Sequence, residues 1–112
     1  MQQLLISDAN ILIDMEEGGL LEAMFQLPYD FATPDILFVE ELEEDHPHLQ
    51  DLGLALKEVS AESMMYAMQL TGTYTQASRN DCFALALAKQ EQCPLLTGDM
   101  ALRKAAEKEA AI

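Results

Sequence analysis

CPLLTGDMAL (Cys93–Leu102) is the stretch that decides the fold. Its apolar centre predicts a short buried strand over Pro94–Thr97, and Gly98 ends that strand. Asp99 follows at once, where the helical pattern MALRKAAEKEAA begins. A strand that passes directly into a helix is typical of a parallel sheet covered by helices. The stretch therefore predicts an α/β fold with a carboxylate at the carboxyl end of a strand.

The same alternation of strands and helices continues towards the amino terminus. Three further strands are predicted, at Gln3–Ser7, at Tyr29–Thr33 and within Leu54–Ser60. Between them and the last strand lie the helical segments NILIDMEEGGLLEAMFQL, PDILFVEELEED, AESMMYAMQLTG and SRNDCFALALAKQEQ. Gly18–Gly19 divides the first segment into two short helices, and the second is expected to run to about Asp45. Residues 1–112 are therefore predicted to form one three-layer α/β/α domain around a central parallel sheet.

The composition favours a cytoplasmic protein with reduced cysteines. Half of the residues are hydrophobic, yet no apolar run approaches the roughly 20 residues that cross a bilayer. The sequence MQQLLISDAN lacks the basic region and the long apolar segment of a secretory signal. Cys82 and Cys93 do not form a CxxC pair, so we predict that both are free thiols that pack in the interior.

Charge is the unusual feature of the composition. Twenty Asp and Glu residues against six Lys and Arg residues give a formal net charge of −14. A surface of this charge repels nucleic acid at long range and favours basic partners. The acidic runs DMEE and EELEED are interpreted as solvated helix faces. His46 and His48 flank Pro47 in a predicted exposed loop, because two histidines without further ligands are weak evidence for a metal site.

Carboxylates follow the ends of predicted strands. Asp8 comes directly after the first strand and Asp99 after the last, so both are expected at the same edge of the sheet, where α/β proteins bind ligands. Asp81, in the first turn of its helix, converges there if that helix begins beside the same edge. Carboxylates gathered in this way repel one another unless a cation such as Mg²⁺ or Mn²⁺ neutralises them. The alternative is that each acid only caps a helix.

Motifs along essentially the whole chain resemble those of the PIN domain, a nuclease fold found in many prokaryotic toxin–antitoxin toxins. ISDANILID resembles the first motif, in which an Asp follows strand one, and PDILFVEEL resembles the helix that contributes a Glu. NDCFALALAKQEQCPLLTGDMALRKAAE is the most specific piece, since it combines a helix Asp, an Ala/Leu-rich helix and a strand ending in TGD. The resemblance implies a PIN-like fold, but the last strand is not evident in the sequence: family members typically continue into another strand, whereas this sequence stops at KEAAI. Either that strand is missing, or the sequence is truncated, or another chain supplies that edge.

The resemblance also implies a metal site. Asp8, Asp81 and Asp99 would bind Mg²⁺ or Mn²⁺, directly or through water. Asn10 and Thr97 would support these ligands. The implied reaction is the hydrolysis of RNA phosphodiester bonds by a metal-activated water, without a covalent intermediate.

The Glu of the second motif corresponds to Glu40 or Glu41. Glu41 is preferred because the family's Glu usually precedes a Leu, and Leu42 follows here. Neighbouring residues on a helix differ by about 100° in direction, so only one of the two can face the site comfortably. Glu41 could also orient the attacking water, with Glu40 in a supporting place.

The implied partners are RNA, a basic antitoxin protein and a second copy of the chain in a homodimer. Arg79, Arg103 and Lys104 lie near the predicted site residues and are candidates for contacts with substrate phosphates. Such a small basic set predicts weak nonspecific affinity for RNA, since each neutralised phosphate contributes to binding. An exposed parallel edge of the sheet would invite dimerisation.

Two other functions compete with the nuclease. The first is a catalytically silent PIN-like interaction module, which the negative charge and the missing last strand favour. The second is a phosphoacceptor like a response regulator, a fold that also gathers Asp residues at strand ends. No acidic pair follows strand one and no Lys follows LLTGD, so the phosphoacceptor is the weaker alternative.

Overall fold

A four-stranded, all-parallel sheet forms the centre of the protein, as the sequence predicts. The computed structural model describes residues 2–109. The strands are β1 (Gln3–Ser7), β2 (Tyr29–Pro34), β3 (Ala55–Lys57) and β4 (Leu95–Leu96), and their order across the sheet is β3-β2-β1-β4. The α/β fold class and the parallel sheet are therefore confirmed.

The register of the strands brings their carboxyl ends to one edge. Ile6 in β1 pairs with Ala32 in β2 and with Leu95 in β4, so β1 is paired on both sides. Ile6 and Ala32 are completely buried, as expected for the middle of a sheet with helices on both faces. The residues that directly follow β1 and β4 consequently begin from neighbouring points of the same edge.

Helices cover both faces of the sheet. They are α1 (Ala9–Glu17), α2 (Leu21–Phe25), α3 (Asp35–Leu37), α4 (Leu49–Leu52), α5 (Ala61–Thr73), α6 (Arg79–Gln90) and α7 (Met100–Lys108). Helix α6 is buried without interruption from Cys82 to Ala88, because its small alanines let it approach the sheet closely. The cysteines are confirmed as free and buried, and burial raises the pKa of the Cys82 thiol to about 11.

The predicted helix PDILFVEELEED differs from the observed one in its winding and its end. Helix α3 ends at Leu37, and a π-helix (Phe38–Leu42) follows it. The Glu43 amide donates to the Phe38 carbonyl at 2.7 Å, a bond across five residues that inserts one extra residue per turn. The prediction that this helix continues to about Asp45 is therefore wrong by three residues. Helix α4 was not predicted, and the residues Ala110 and Ala111 of the predicted last helix lie outside the described range.

The loop that contains His46 and His48 is attached to helix α1 and is not freely exposed. His46 Nδ1 contacts one carboxylate oxygen of Glu16, and His48 Nε2 lies 2.6 Å from the other. The His46 side chain is only 19% exposed. The expectation of an exposed loop is thus wrong for His46, because Glu16 supplies the polar partner that the sequence pattern did not reveal. Over the described range, the structure contains no helix with the length and apolar character of a membrane span.

Candidate functional site

Buried polar side chains mark the carboxyl edge of the sheet. Ser7, Asp8 and Thr33 have no exposed surface, and all three lie at or just beyond the ends of β1 and β2. The Thr33 hydroxyl donates to the Ser7 carbonyl at 3.0 Å, and the Ser7 hydroxyl donates to the Asp8 carbonyl at 2.9 Å. These bonds fix the backbone around Asp8. A completely buried carboxylate at a strand end is a strong indication of a functional site.

Thr97 links the two aspartates that follow β1 and β4. Its hydroxyl donates to Asp8 Oδ2 and accepts a hydrogen bond of 3.0 Å from the Asp99 amide. The Asp8 amide also donates to the Leu96 carbonyl at 3.2 Å, which extends the pairing of the two strands. Thr97 was predicted to support the metal ligands, and its hydroxyl contacts both Asp8 and the Asp99 amide. It holds the turn after β4 against the end of β1.

All three predicted aspartates also cap helices. Asp8 Oδ1 accepts a hydrogen bond from the Ile11 amide at 2.9 Å, at the start of α1. Asp99 Oδ1 accepts from the amides of Ala101 and Leu102 at the start of α7. The Asp81 carboxylate and Ser78 form a reciprocal capping box on α6, with both bonds at 3.0 Å. Each of the three acids therefore does cap a helix, as the alternative interpretation of the sequence proposed.

The electrostatic environment of Asp8 includes the other two predicted aspartates. Burial is the main cause that raises the pKa of Asp8, the bonds from Thr97 and Ile11 lower it, and the negative charges of Asp81 and Asp99 raise it further. No lysine, arginine or histidine is among the groups that shift this pKa. Asp8 is thus a buried acid whose nearest charged influences are two other acids.

Glu41, and not Glu40, faces the aspartates. The pKa of Glu41 is raised, first by partial desolvation and then by the charges of Asp81, Glu40 and Asp8. Glu40 instead contacts the Arg79 guanidinium, which is the largest cause that lowers the pKa of Glu40. The two side chains therefore differ in their charged neighbours, although both also form a hydrogen bond with Asn80.

Asn80 is a site residue to which the sequence analysis gave no role. Hydrogen bonding by its side chain lowers the pKa of both Glu40 and Glu41. Its Oδ1 atom is buried and has no hydrogen-bond partner among the described residues. Asn80 directly precedes Asp81, so its position beside the acids in NDCFA is the signal that could have identified it.

The candidate ligands are carboxylate oxygens, which are the type of ligand that hard divalent cations prefer. Acids that raise the pKa of Asp8, without a basic residue among the causes, are the environment that Mg²⁺ or Mn²⁺ would neutralise. Within residues 2–109, no three His, Cys, Asp or Glu side chains stand close enough together to hold a metal ion as a group. The described structure therefore does not present Asp8, Asp81 and Asp99 as a ready set of three direct metal ligands.

The other predicted site residues are farther from this convergence. Asn10 lies in the first turn of α1 and is exposed. Arg79 is engaged by Glu40 and lies over the Phe83 ring at 5.9 Å from its centroid. Arg103 and Lys104 are exposed on α7, where Arg103 Nε lies 3.3 Å from Glu107. The structure therefore offers few free positive charges for a polyanion.

Stability should depend on pH through Asp8. Because the folded state raises the pKa of Asp8 above its ordinary value of 3.8, the protonated form is favoured by folding. The contribution of Asp8 to stability is fully present below pH 3.8 and is lost as pH rises through the raised pKa. We expect the free energy of unfolding of the wild type, relative to Asp8→Asn, to fall across that window.

Urea unfolding at a series of pH values, with a chelator present, measures this difference. The chelator matters because a bound cation would favour the ionised form of Asp8. A stability difference between wild type and Asp8→Asn that is constant with pH would contradict the burial of an ionisable acid at this position.

No protein-family model matches the sequence, and no curated protein has significant similarity to it. The functional assignment of the site therefore depends on its own residues and geometry and on the motif resemblance.

Proposed function

We propose that the protein is a divalent-metal-dependent endoribonuclease of the PIN type, and that it acts as the toxin of a type II toxin–antitoxin pair. The observation that carries the proposal is the convergence of acids from four separate chain segments on one strand edge. The charges of Asp81 and Asp99 raise the pKa of Asp8, and those of Asp81 and Asp8 raise the pKa of Glu41, although 91 positions separate Asp8 from Asp99 in sequence. Helix capping alone does not require acids from separate segments to lie within electrostatic range of a buried carboxylate, and this supports a functional role for the set.

Each residue has a distinct role in the proposed reaction. Asp8, Asp81 and Asp99 would hold Mg²⁺ or Mn²⁺, which when bound polarises the scissile phosphate and activates water. Thr97 positions Asp8 relative to the Asp99 turn through its two hydrogen bonds. Glu41 has a raised pKa, as suits a group that orients the attacking water and accepts its proton.

Binding of RNA must overcome the negative charge of the protein. The net charge of −14 repels the phosphate backbone, and Arg79, Arg103 and Lys104 are the candidates that would contact it near the site. The excess of negative charge over these three basic residues supports weak binding of a short stretch of RNA near the site. It also supports a basic protein, such as an antitoxin, as a partner. A homodimer and a cytoplasmic location remain predictions.

Two glutamates on one helix provide a matched test. We expect wild-type protein to bind Mn²⁺ in a calorimetric titration and to cleave a labelled single-stranded RNA only when the metal is present. Glu41→Gln should lower the cleavage rate by about 10²-fold, because it removes the group that positions the water. Glu40→Gln makes the same chemical change one position away and should alter the rate by less than about threefold, since Glu40 pairs with Arg79.

The proposal fails if Glu40→Gln and Glu41→Gln have equal effects, or if cleavage persists in excess chelator. The same titration tests the competing function, a silent interaction module. The observation that favours this alternative is that Asp8, Asp81 and Asp99 each use a carboxylate oxygen to cap a helix. Wild-type protein that neither binds Mn²⁺ nor cleaves RNA would establish the alternative.

A further inference from the structure

An apolar groove runs along one face of the sheet, from the amino ends of β1 and β2 to Leu96 at the end of β4. It is formed between the sheet and helices α1 and α2, and it includes Gln3 and Tyr29, the first residues of β1 and β2. Its volume is about 800 Å³, the size of a binding cavity rather than a packing defect. The side chains that form most of its wall are apolar: Leu5, Met15, Leu20, Met24, Leu27 and Phe31. We call this cavity the amino-end groove.

The rim of the amino-end groove exposes large hydrophobic side chains. Leu20 is 52% exposed, Leu27 is 49% exposed and Tyr29 is 40% exposed. Side chains of this kind are normal when they are scattered singly, but here they surround one cavity. A cluster of exposed apolar groups around a concave surface indicates a binding site for another molecule.

Charge decides what kind of molecule fits the groove. Residues 1–56, which supply most of its wall, contain 13 Asp and Glu residues and no Lys or Arg. Glu22 and Asp30 are exposed and are direct neighbours of wall residues in the chain. An apolar ligand with its own carboxylate, such as a fatty acid, would be repelled by this rim. A second copy of the chain would bring another net charge of −14 to the same place.

We propose that the amino-end groove binds a segment of a basic partner protein, which inserts apolar side chains into the cavity and places Lys or Arg against the acidic rim. In protein interfaces, apolar side chains buried in a pocket usually supply most of the affinity. Charged pairs at the rim contribute specificity and faster association. The inference does not rest on the nuclease activity, because none of the predicted site acids lines the groove and the binding test uses neither RNA nor metal. The two proposals can therefore fail separately.

Fluorescence polarisation with model peptides tests the groove. The probes are labelled short peptides of leucine and lysine, one with leucine at helical spacing and one with leucine alternating. The control probes replace leucine by serine or lysine by glutamate. We expect at least one leucine–lysine peptide to bind, and the control peptides to bind at least about tenfold more weakly.

A matched pair of variants locates the binding. Leu27→Gln removes an exposed apolar group at the rim and should weaken binding at least about fivefold. Met65→Gln makes a similar change at a residue that is 68% exposed on α5, outside the groove, and should change binding by less than about twofold. Amide chemical shifts of the full chain should move at Met15–Phe31 and around Leu96 when the peptide is added.

Three results would overturn the proposal. The first is that neither leucine–lysine peptide binds. The second is that Leu27→Gln and Met65→Gln bind the peptide equally. The third is that the shifts concentrate at the acidic run Glu40–Asp45, which would mean attraction by charge without use of the groove. Binding is read out without RNA or metal, so a failure of the nuclease proposal does not affect this test.

Discussion

RNA cleavage by the Asp8→Asn variant is expected to be about 10²–10³-fold slower than wild-type cleavage at saturating Mn²⁺. Asp8 is completely buried at the end of β1, and the other aspartates of the site act on its charge. Asparagine has nearly the same shape and can still accept the hydrogen bond from the Ile11 amide, so α1 keeps its cap. The substitution therefore removes the charge and keeps the helix cap, but it loses the bond that Thr97 donates to Oδ2, because an amide nitrogen cannot accept it. Single-turnover cleavage of labelled RNA measures the effect.

Asp14→Asn is the matched control for this experiment. Asp14 is exposed on α1, the helix that Asp8 caps, and has no place in the proposed site. Its replacement should leave the cleavage rate within about twofold of wild type. Wild-type activity in Asp8→Asn, with the fold verified by circular dichroism, would show that the buried acid is structural and would remove the basis of the nuclease proposal.

The second large effect is expected from Phe38→Ala, which should lower the free energy of unfolding by about 3–5 kcal/mol. Phe38 begins the π-helix, and its side chain is only 2% exposed in the core beneath that helix. Truncation to alanine leaves a cavity that the sheet above cannot fill without moving. Val39→Ala changes the next residue, which is 59% exposed, and should cost less than about 1 kcal/mol.

Chemical unfolding of both variants measures this difference. The cavity also affects the site, because Phe38 anchors the helix that carries Glu41. We expect Phe38→Ala to lose more cleavage activity than its folded fraction explains. Equal stabilities of Phe38→Ala and Val39→Ala would mean that the core beneath the π-helix is not packed as described.

The strands that build the sheet could be predicted because each is a short apolar run with a clear end. QLLIS ends at an acid and CPLLTGD ends at glycine and aspartate, so the positions of both strands follow from the sequence. The length of β4 does not, because the observed strand is Leu95–Leu96 and not the predicted Pro94–Thr97. The π-helix could not be predicted in this way. Phe38 and Leu42 are both buried, at a spacing that an ordinary α-helix also satisfies. The extra residue in the turn depends on packing against the rest of the protein, which periodicity does not encode.

The candidate site, like the fold, could be predicted from the sequence only in part. Asp8 and Asp99 could be placed at one edge because parallel strands share their carboxyl ends. The choice between Glu40 and Glu41 depended on Arg79, which comes 39 residues after Glu40 and pairs with it. The bridge made by Thr97 between the two aspartates likewise joins residues 89 positions apart. Contacts over such distances appear only once the chain has folded, so one sequence could suggest the acids but not their partners.

The pairing of β1 with β4 also sets the time at which the site comes into being. The chain leaves the ribosome amino terminus first, so Asp8 is made before its partners. Leu96, Thr97 and the acid Asp99 follow it by 88, 89 and 91 positions. Until those residues have left the ribosome, the acidic set is incomplete and the nascent protein lacks the proposed catalytic site. The topology thus delays the appearance of the site until β4 has been made and has paired with β1.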